Sequence, residues 1–480
     1  MLRVLKKNYV QMSEPAKASM WYVFCNCLQK GIALFATPIF TRMMSTNDYG
    51  VYTVYQSWYS ILIIFTTLNM FFSVYNNGLV KYEKDIDGMT SSMLGLCTTL
   101  TISLGIIVFL SLNFWIKIFG LSKIIIVAMF VQLVFEPATN FWMAKQRFRY
   151  KYVPVVIITL LNSFISTILS IVLVKLCDNK GEVRVISYIF IQVFLGMFIY
   201  FSIMKNGMRF FSKKYWKYAM KFNIPLIPHY LSYTILNQAD RLMISYMVGK
   251  SEAAIYSVAY TIAMMMQIVT QAISNSLTPY IYQAIKEKKY DDIKRISNIL
   301  LIFMGLLCVG IMFFSPEILK IFASKEYLNA VYVMPPVVAS TYFMFLYPLF
   351  STIEYYYEKT YYVMVASTSG AVANIIMNFI FIKKCGFYAA GYTTLVCYII
   401  FAFVHYYFCG KVLENQSLKC IDLFNIPAIL IISSIVIIMA FISLLLYQFE
   451  MIRYILLVAL IVICLWNRNL ILKSINILKR

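Results

Sequence analysis

The chain alternates between long apolar blocks and short segments that hold most of its charged residues. Each block has roughly the 20 residues that a helix needs to cross the hydrocarbon core of a bilayer, which predicts transmembrane helices. We read fourteen spans from this pattern. They run near residues 17–39, 50–75, 90–111, 121–143, 152–175, 185–204, 222–248, 253–283, 296–318, 328–352, 361–382, 387–409, 424–446 and 452–467.

An internal repeat relates the first spans to later ones. Residues 43–87 align without gaps to residues 247–291. The identical positions are Met43, Tyr52, Val54, Ile64, Thr66, Glu83, Lys84 and Asp87. Because this offset carries the first span onto the seventh in the same orientation, it predicts two parallel six-helix halves around a central cavity.

The predicted fold is therefore an all-α polytopic membrane protein. We assign residues 1–210 to the N-terminal half and residues 211–410 to the C-terminal half. Residues 411–480 hold two additional transmembrane helices and a tail. Two halves around a cavity are the architecture of transporters that expose one site alternately to each side of the membrane.

Composition agrees with a membrane location. The chain is 61% hydrophobic and 13% charged, which leaves too few polar residues to cover a soluble core. The net charge of +22 comes from residues spread over many loops, which argues against a nucleic-acid partner.

Most of the 42 Lys and Arg residues fall in loops on one side of the membrane when the predicted spans are traced in order, so both termini are predicted to be cytoplasmic. The ten cysteines show no metal-binding spacing, and we expect no metal site.

Two charged residues, Asp240 and Arg241, lie within the seventh predicted span. A charge at the middle of a lipid-facing helix costs about 2.5–3.5 kcal/mol, so these side chains should face protein or water. Helical spacing places His229, Tyr233 and Asn237 on the same side. We predict that Asn237 and Arg241 contact the substrate. Asp240 and His229 are assigned to ion coupling or to structural pairing.

The first predicted span has a similar polar stripe, which contains Asn26 and Lys30. Lys30 lies too deep to extend comfortably to the membrane surface. Together with Arg241 it predicts a cationic cavity suited to an anionic headgroup such as a diphosphate. Structural alternatives stay open for these residues. One is that Asp240 and Arg241 form a structural ion pair with residues of other helices, and another is that Arg241 lies near the outer headgroups. The alternative for Lys30 is a structural pairing with Glu136 of the fourth span.

Other titratable residues receive weaker assignments. Glu136 is a candidate for ion coupling, and so are Glu354 and Glu358, although we expect these last two to lie in cytoplasmic water. His229 and His405 are better explained as packing residues than as proton carriers. The chain has no GxSxG, HExxH or Walker A motif, so we expect no enzyme active site and no ATP-driven pump.

Four segments are similar to one family of membrane proteins. They are TPIFTRMMSTNDYGVYTVYQS (37–57), FWMAKQRFRYKY (141–152), NIPLIPHYLSYTILNQADRLMI (223–244) and AIYSVAYTI (254–262). They resemble segments of polysaccharide transporters, a family of the multidrug/oligosaccharidyl-lipid/polysaccharide (MOP) exporter superfamily. Arg42, Asp48 and Gly50 match the signature of the family's first loop.

This resemblance implies a flippase in the bacterial cytoplasmic membrane. It would move undecaprenyl-diphosphate-linked repeat units of O-antigen or capsule from the inner to the outer leaflet by alternating access. Lys30 and Arg241 would belong to the family's cationic cavity, and Asp240 matches a recurrent acidic position. The expected partners are the lipid-linked oligosaccharide, membrane lipids, and a polysaccharide polymerase with its chain-length regulator. No cofactor is expected, and transport would couple to a proton or sodium gradient or to the membrane potential.

Three other functions stay open. A multidrug or toxin exporter of the same superfamily would expel amphipathic cations, and the predicted cationic interior argues against that cargo. A lipid II flippase would bind a similar lipid diphosphate. A membrane glycan polymerase or glycosyltransferase would usually carry a larger extramembrane loop than any in this chain.

Overall fold

The computed structural model describes residues 13–71 and 74–466. The first half contains α1 (Glu14–Met43), α2 (Thr46–Thr67), α3 (Val74–Lys81), α4 (Ile86–Leu110), α5 (Leu112–Phe119), α6 (Lys123–Phe148), α7 (Tyr152–Leu176), α8 (Lys180–Gly207) and α9 (Lys213–Asn223). The second half contains α10 (Ile227–Met247), α11 (Lys250–Ala263), α12 (Met266–Lys286), α13 (Tyr290–Phe322), α14 (Met334–Tyr356), α15 (Thr360–Cys385) and α16 (Tyr388–Glu414). It is followed by α17 (Cys420–Leu423), α18 (Ile426–Leu446) and α19 (Glu450–Trp466).

The structure confirms an all-α polytopic membrane protein, and each predicted span overlaps a helix within the described residues. Eleven spans within the described residues are long and apolar enough to cross a membrane. The other three predicted spans correspond to α2, α10 and α19, which fall short of that length or hydropathy. The basic N-terminal residues 1–12, residues 72 and 73 of the second predicted span, residue 467 of the final one and the tail that follows lie outside the described residues.

The repeat reappears in the ends of the helices. Helices α1 and α10 end at Met43 and Met247, and α2 and α11 begin at Thr46 and Lys250. Helices α4 and α13 begin at Ile86 and Tyr290. Every one of these pairs is separated by the offset that aligns the two sequence segments. The same local fold is therefore built twice.

The chain divides into two compact units, unit 1 (Met1–Thr234) and unit 2 (Ile235–Arg480). The division falls inside α10. Nothing in this division tests the domain boundaries at 210/211 and 410/411, which stay predictions.

Helix α8 is the centre of packing in unit 1. It contacts α2, α4, α6 and α7, and α7 in turn packs against α1. Gly196 makes the approach to α6 possible, because a Cβ at this position would lie 2.7 Å from the carbonyl oxygen of Phe135. Small residues allow transmembrane helices this close contact.

A proline in α6 leaves a backbone carbonyl to be satisfied by a neighbouring helix. Pro137 has no N–H, so the carbonyl of Leu133 loses its partner within the helix. Thr101 of α4 donates to that carbonyl at 3.4 Å. In a membrane such a replacement donor is needed, because no bulk water is available.

Three segments that lie between predicted spans meet at one end of unit 1. Asp85, just before α4, accepts hydrogen bonds from Arg209 and Tyr215, both at 2.6 Å. Asp87 pairs with Lys145 at the end of α6. These contacts agree with helices that alternate in direction, while the sidedness of the termini stays a prediction.

Residues 205–221, which lie between the sixth and seventh predicted spans, contain a helix that the hydrophobic pattern did not predict. Helix α9 begins at Lys213, with Tyr215 and Ala219 buried against the unit and its lysines exposed. Trp216 anchors it by donating to the carbonyl of Ser92 at 2.8 Å. A basic amphipathic helix with aromatic residues is typical of a helix that lies along the membrane surface.

In unit 2, α14 is the most buried of the apolar spans and packs mainly against α16. Helix α13 contacts α14, α18 and α19. A bidentate ion pair fastens the last helix, since Arg453 of α19 donates to Glu317 of α13 at 2.5 and 3.0 Å. Arg453 is only 1% exposed and also donates to the carbonyl of Phe313 at 3.1 Å.

We predict that Arg453→Ala weakens the attachment of α19 to α13. Removing one partner of a buried ion pair costs about 3 kcal/mol, because the other charge is left unpaired. The expected result is a lower midpoint of thermal unfolding in detergent. Lys320→Ala is the matched control, because its pair with Glu450 joins the same helices at 3.8 Å but is exposed, and exposed pairs contribute about 0–1 kcal/mol. Equal effects of the two substitutions would contradict the prediction.

Candidate functional site

Asp240 and Arg241 are neighbours in α10 but bind different groups. The carboxylate of Asp240 is 1% exposed and accepts three hydrogen bonds. The donors are Tyr256 of α11 at 2.5 Å, Asn378 of α15 at 2.6 Å and Thr394 of α16 at 2.7 Å. All three donors are neutral, so the negative charge has no ionic partner among the described residues.

More polar side chains from α15 and α16 surround this carboxylate. Asn378 donates to Asn374 one turn away at 3.2 Å and accepts a hydrogen bond from Thr393. The side-chain nitrogen of Asn374 is buried and has no partner among the described residues. We call Asp240, Tyr256, Asn374, Asn378, Thr393 and Thr394 the Asp240 cluster. Its carboxylate, amide and hydroxyl oxygens are the ligand types that hard cations prefer.

The Asp240 cluster is not a conventional metal centre. In the described part of the chain, no three His, Cys, Asp or Glu residues come together. Asp240 is the one acidic member of the cluster. A site of this kind could hold a proton or a single weakly bound monovalent cation rather than a tightly bound transition metal.

Arg241 is buried without a carboxylate. Its Nη1 atom donates to the carbonyl of Asn237 at 2.7 Å and to the side chain of Gln238 at 2.6 Å. The guanidinium carbon lies 4.4 Å from the ring centre of Tyr260, and the Nε atom has no partner among the described residues. The structure therefore brings Asn237 and Arg241 together through neutral groups. Neither Asp240 nor Arg241 forms the structural ion pair that was left open as an alternative.

Lys30 is an exposed residue of α1, one turn after the exposed Asn26. Within the described residues, Lys30 makes no hydrogen bond or ion pair. The alternative pairing with Glu136 does not occur. The carboxylate of Glu136 instead accepts a hydrogen bond from Gln132 at 2.5 Å, and Gln132 accepts one from Tyr55.

Unit 1 contains a polar cavity of about 410 Å³ between α1, α6, α7 and α8. We call it the unit 1 cavity. It brings together two of the predicted site residues, Asn26 and Glu136, and Lys30 is not among its lining residues. The lining is formed by Tyr22, Cys25, Asn26, Gln29, Glu136, Thr139, Asn140, Met143, Arg147, Val155, Ile158, Thr159, Asn162, Tyr188 and Gln192.

The first-loop signature has a visible structural role. Ser45 caps α2 by accepting from the backbone N–H of Asp48 at 3.1 Å, and its hydroxyl donates to the carboxylate of Asp48 at 2.7 Å. Gly181 of α8 packs against Asp48 so closely that a Cβ would lie 3.2 Å from it. Gly50 is buried in the second turn of α2, whereas Arg42 is exposed and donates to the carbonyl of Pro38 at 3.0 Å. These contacts hold the loop against the start of α8.

A buried arginine completes this end of unit 1. The guanidinium of Arg184 lies 3.9 Å from the ring centres of Phe40 and Tyr52 and 4.3 Å from that of Tyr49. Three aromatic faces attract the cation and shield it from lipid. Sequence reasoning did not single out Arg184, although its position near the start of an apolar span was a signal.

His229 lies near the start of α10 and is half-buried, with its ring centre 5.9 Å from that of Tyr230. No hydrogen bond links it to Asp240 among the described contacts. Its role in ion coupling stays a prediction.

The expectation that Glu354 lies in water is wrong. Glu354 in α14 and His405 in α16 are both fully buried, and the Nδ1 atom of the histidine lies 2.9 Å from a carboxylate oxygen. The Nε2 atom of His405 has no partner among the described residues. The sequence does not show that α14 packs against α16, so it gave no reason to place the two residues together. The same difficulty hid the contributions of Asn374 and Asn378 to the Asp240 cluster.

The arrangement of helices is shared by solved membrane transporters. The structure of a lipid II flippase, MurJ, in an inward closed conformation matches with a TM-score of 0.66 and 18% identity over 93% of this chain and 99% of that one. An inward-facing multidrug resistance MATE family transporter of the MOP superfamily matches with a TM-score of 0.63 and 13% identity. That match covers 81% of this chain and 96% of the transporter. The fold is that of the MOP superfamily.

Sequence relatives define the family within that class. The family model described as polysaccharide biosynthesis protein matches residues 16–285, more than half of the chain, and the MatE model matches residues 225–380. The "Lsg locus putative protein 1" of Haemophilus influenzae is 23% identical over 282 residues, which cover 57% of this chain and 67% of that protein. The chain belongs to the polysaccharide biosynthesis protein family, the polysaccharide transporters of the MOP superfamily, and the resemblance read from the sequence is confirmed.

Proposed function

We propose that this protein is a flippase for undecaprenyl-diphosphate-linked oligosaccharides, the repeat units of O-antigen or capsular polysaccharide. It moves them from the inner to the outer leaflet of the bacterial cytoplasmic membrane by alternating access, and no covalent bond changes. The observation that carries the proposal is a pair of cationic side chains in membrane helices. Neither Lys30 nor Arg241 has a carboxylate partner among the described residues.

A comparison of three buried arginines supports a binding role for Arg241. Arg453 is neutralised by Glu317, and Arg184 is enclosed by three aromatic rings. Arg241 has one aromatic neighbour and only neutral oxygen acceptors. Its charge therefore stays available to an anion.

The cargo supplies the opposite charge. A diphosphate in hydrocarbon is prohibitively unstable unless hydrogen-bond donors and cations accompany it. Arginine and lysine are the side chains that bind phosphate oxygens most strongly. We propose that Lys30 and Arg241 neutralise the diphosphate during transfer, with Asn26 and Asn237 as neighbouring polar contacts.

The oligosaccharide delivered to the outer leaflet would be the substrate of a polymerase with its chain-length regulator, which we propose as partners. Lipid II is the second candidate cargo. A lipid II flippase has the same fold as this chain, and lipid II also carries its glycan on a lipid diphosphate. The two cargoes differ in their sugars, so genetic complementation can separate them.

We expect Lys30→Ala and Arg241→Ala to reduce flipping in cells strongly. Losing one charge-assisted contact of about 1.5–3 kcal/mol weakens transition-state binding about 10- to 150-fold. The measurement is surface glycan in a strain that lacks its O-antigen or capsule flippase, with the sidedness of the lipid-linked intermediate. The wild-type protein should restore surface glycan, and the variants should leave the intermediate on the cytoplasmic side.

Controls and cargo are tested in the same experiment. Lys175→Ala removes an exposed lysine at the end of α7 and should behave like the wild type. Lys30→Arg and Arg241→Lys should retain partial activity, because the charge is kept. Normal flipping by both alanine variants at normal expression would refute the proposal. Rescue of a strain depleted of its lipid II flippase, without rescue of surface glycan, would favour lipid II as the cargo.

We also propose that Asp240 couples transport to a proton or sodium gradient. A buried carboxylate that is bound only by neutral donors is unstable as a free anion, so a proton or a cation would stabilise it. The hydroxyls and amides of the Asp240 cluster can donate to the carboxylate or turn their oxygens toward a cation. Binding at this position would link α10 to α15 and α16.

The expected effect of Asp240→Asn is loss of coupling. The amide is nearly isosteric but carries no charge, so it needs neither a proton nor sodium. In proteoliposomes, the wild-type flipping rate should rise when a proton or sodium gradient is imposed, and the variant rate should not respond. Asp178→Asn, an exposed substitution between α7 and α8, should respond like the wild type. A variant that responds fully to the gradient would remove Asp240 from the coupling mechanism.

A further inference from the structure

We infer that the unit 1 cavity is a binding site for one neutral sugar ring of the cargo. The inference rests on the proposed flippase function and adds to it a second contact region, separate from Lys30 and Arg241. It is argued from the volume of the cavity, from its unpaired polar groups and from its balance of charge.

The volume suits a sugar. The unit 1 cavity measures about 410 Å³, within the roughly 300–1,000 Å³ that small-molecule sites occupy. A water molecule occupies a volume of only about 30 Å³, and a bare monovalent ion occupies no more. The cavity is therefore large enough for a hexose or an N-acetylhexosamine with a few waters.

The polar groups of the lining are available to a ligand. The exposed Asn26 and Gln29 and the half-buried Asn140 line the cavity and make no side-chain hydrogen bond among the described residues. The hydroxyl of Tyr22 and the side-chain oxygen of Asn162 are buried and also have no partner there. Buried polar groups without partners are rare and need an explanation. Amides offer both donors and acceptors, which match sugar hydroxyls that donate and accept in turn.

The charge of the lining favours a neutral ligand. One carboxylate, Glu136, and one guanidinium, Arg147, both line the cavity and lie about 16 Å apart along α6. A diphosphate would need an excess of positive charge, and the lining does not supply it. The carboxylate of Glu136 already accepts from Gln132, and it is the one acidic group of the lining. A cation would have no second carboxylate there.

Two tyrosines add the remaining element of sugar recognition. Tyr22 and Tyr188 contribute aromatic rings with polar ends to the lining. Such side chains present an apolar face and a hydroxyl together. The C–H face of a sugar ring can pack on the aromatic face while its hydroxyls reach the amides.

The first test is direct binding. The full-length protein in lipid nanodiscs is titrated with glucose, galactose, N-acetylglucosamine and N-acetylgalactosamine, and binding is followed by saturation-transfer difference NMR. At least one sugar should bind, and Asn26→Leu and Asn140→Leu should each weaken it at least about fivefold, the loss of one hydrogen bond of about 1 kcal/mol. These side chains have no described partner to lose, so the fold should persist. Asn113→Leu, an exposed asparagine of α5 outside the cavity, is the matched control.

The second test identifies the source of the sugar. Flipping of a lipid-linked oligosaccharide and of bare undecaprenyl diphosphate is compared in proteoliposomes. Asn140→Leu should slow the first and leave the second unchanged, whereas Arg241→Ala should slow both. If free sugar binds but the lipid-linked oligosaccharide does not compete with it, the cargo assignment is wrong.

Failure of this inference is distinguishable from failure of the flippase function. Binding of no sugar, or binding that both leucine variants leave unchanged, overturns the inference alone. Stabilisation by sodium that depends on Glu136, in the absence of sugar binding, would make the cavity a cation site instead. Loss of flipping in Arg241→Ala would still support the function in either case.

Discussion

Ionised side chains in a hydrocarbon environment must be matched by partners, and this requirement organises the charged interior of the protein. Arg453 meets it with a carboxylate, and Arg184 meets it with three aromatic rings. Asp240 accepts hydrogen bonds from three neutral donors. Arg241 donates to neutral oxygen atoms and has no counter-charge among the described residues. The lack of a counter-charge at Asp240 and Arg241 is the basis for the proposal that these side chains bind ions from outside the protein.

The internal repeat shows how the two units acquired different chemistry on the same local fold. Ala33, Ala36 and Thr37 in α1 occupy the repeat positions of Asn237, Asp240 and Arg241 in α10. Thr37 donates to the carbonyl four residues earlier, as Arg241 does. The backbone hydrogen bond is therefore kept, while charged residues occupy these repeat positions only in α10. Unit 1 has an amide-lined cavity instead, and unit 2 has the Asp240 cluster.

The hydrophobic pattern was sufficient to predict the spans, because membrane-length apolar blocks have few alternatives to helix. It missed α9, whose lysines and aromatic residues look like a loop until the helix lies on a surface, and it missed the break between α11 and α12 at Met264 and Met265. Single charges in spans pointed to Asp240 and Arg241. Their partners could not be predicted, since the Asp240 cluster and the Glu354–His405 pair depend on which helices are neighbours.

The central claim is that Lys30 and Arg241 bind the diphosphate of the lipid carrier. The most direct test is binding of undecaprenyl diphosphate and undecaprenyl monophosphate to the purified protein, measured by native mass spectrometry. We predict that the wild type prefers the diphosphate and that Lys30→Gln and Arg241→Gln each remove that preference. An unchanged preference in the double variant would contradict the claim and would place the anion elsewhere.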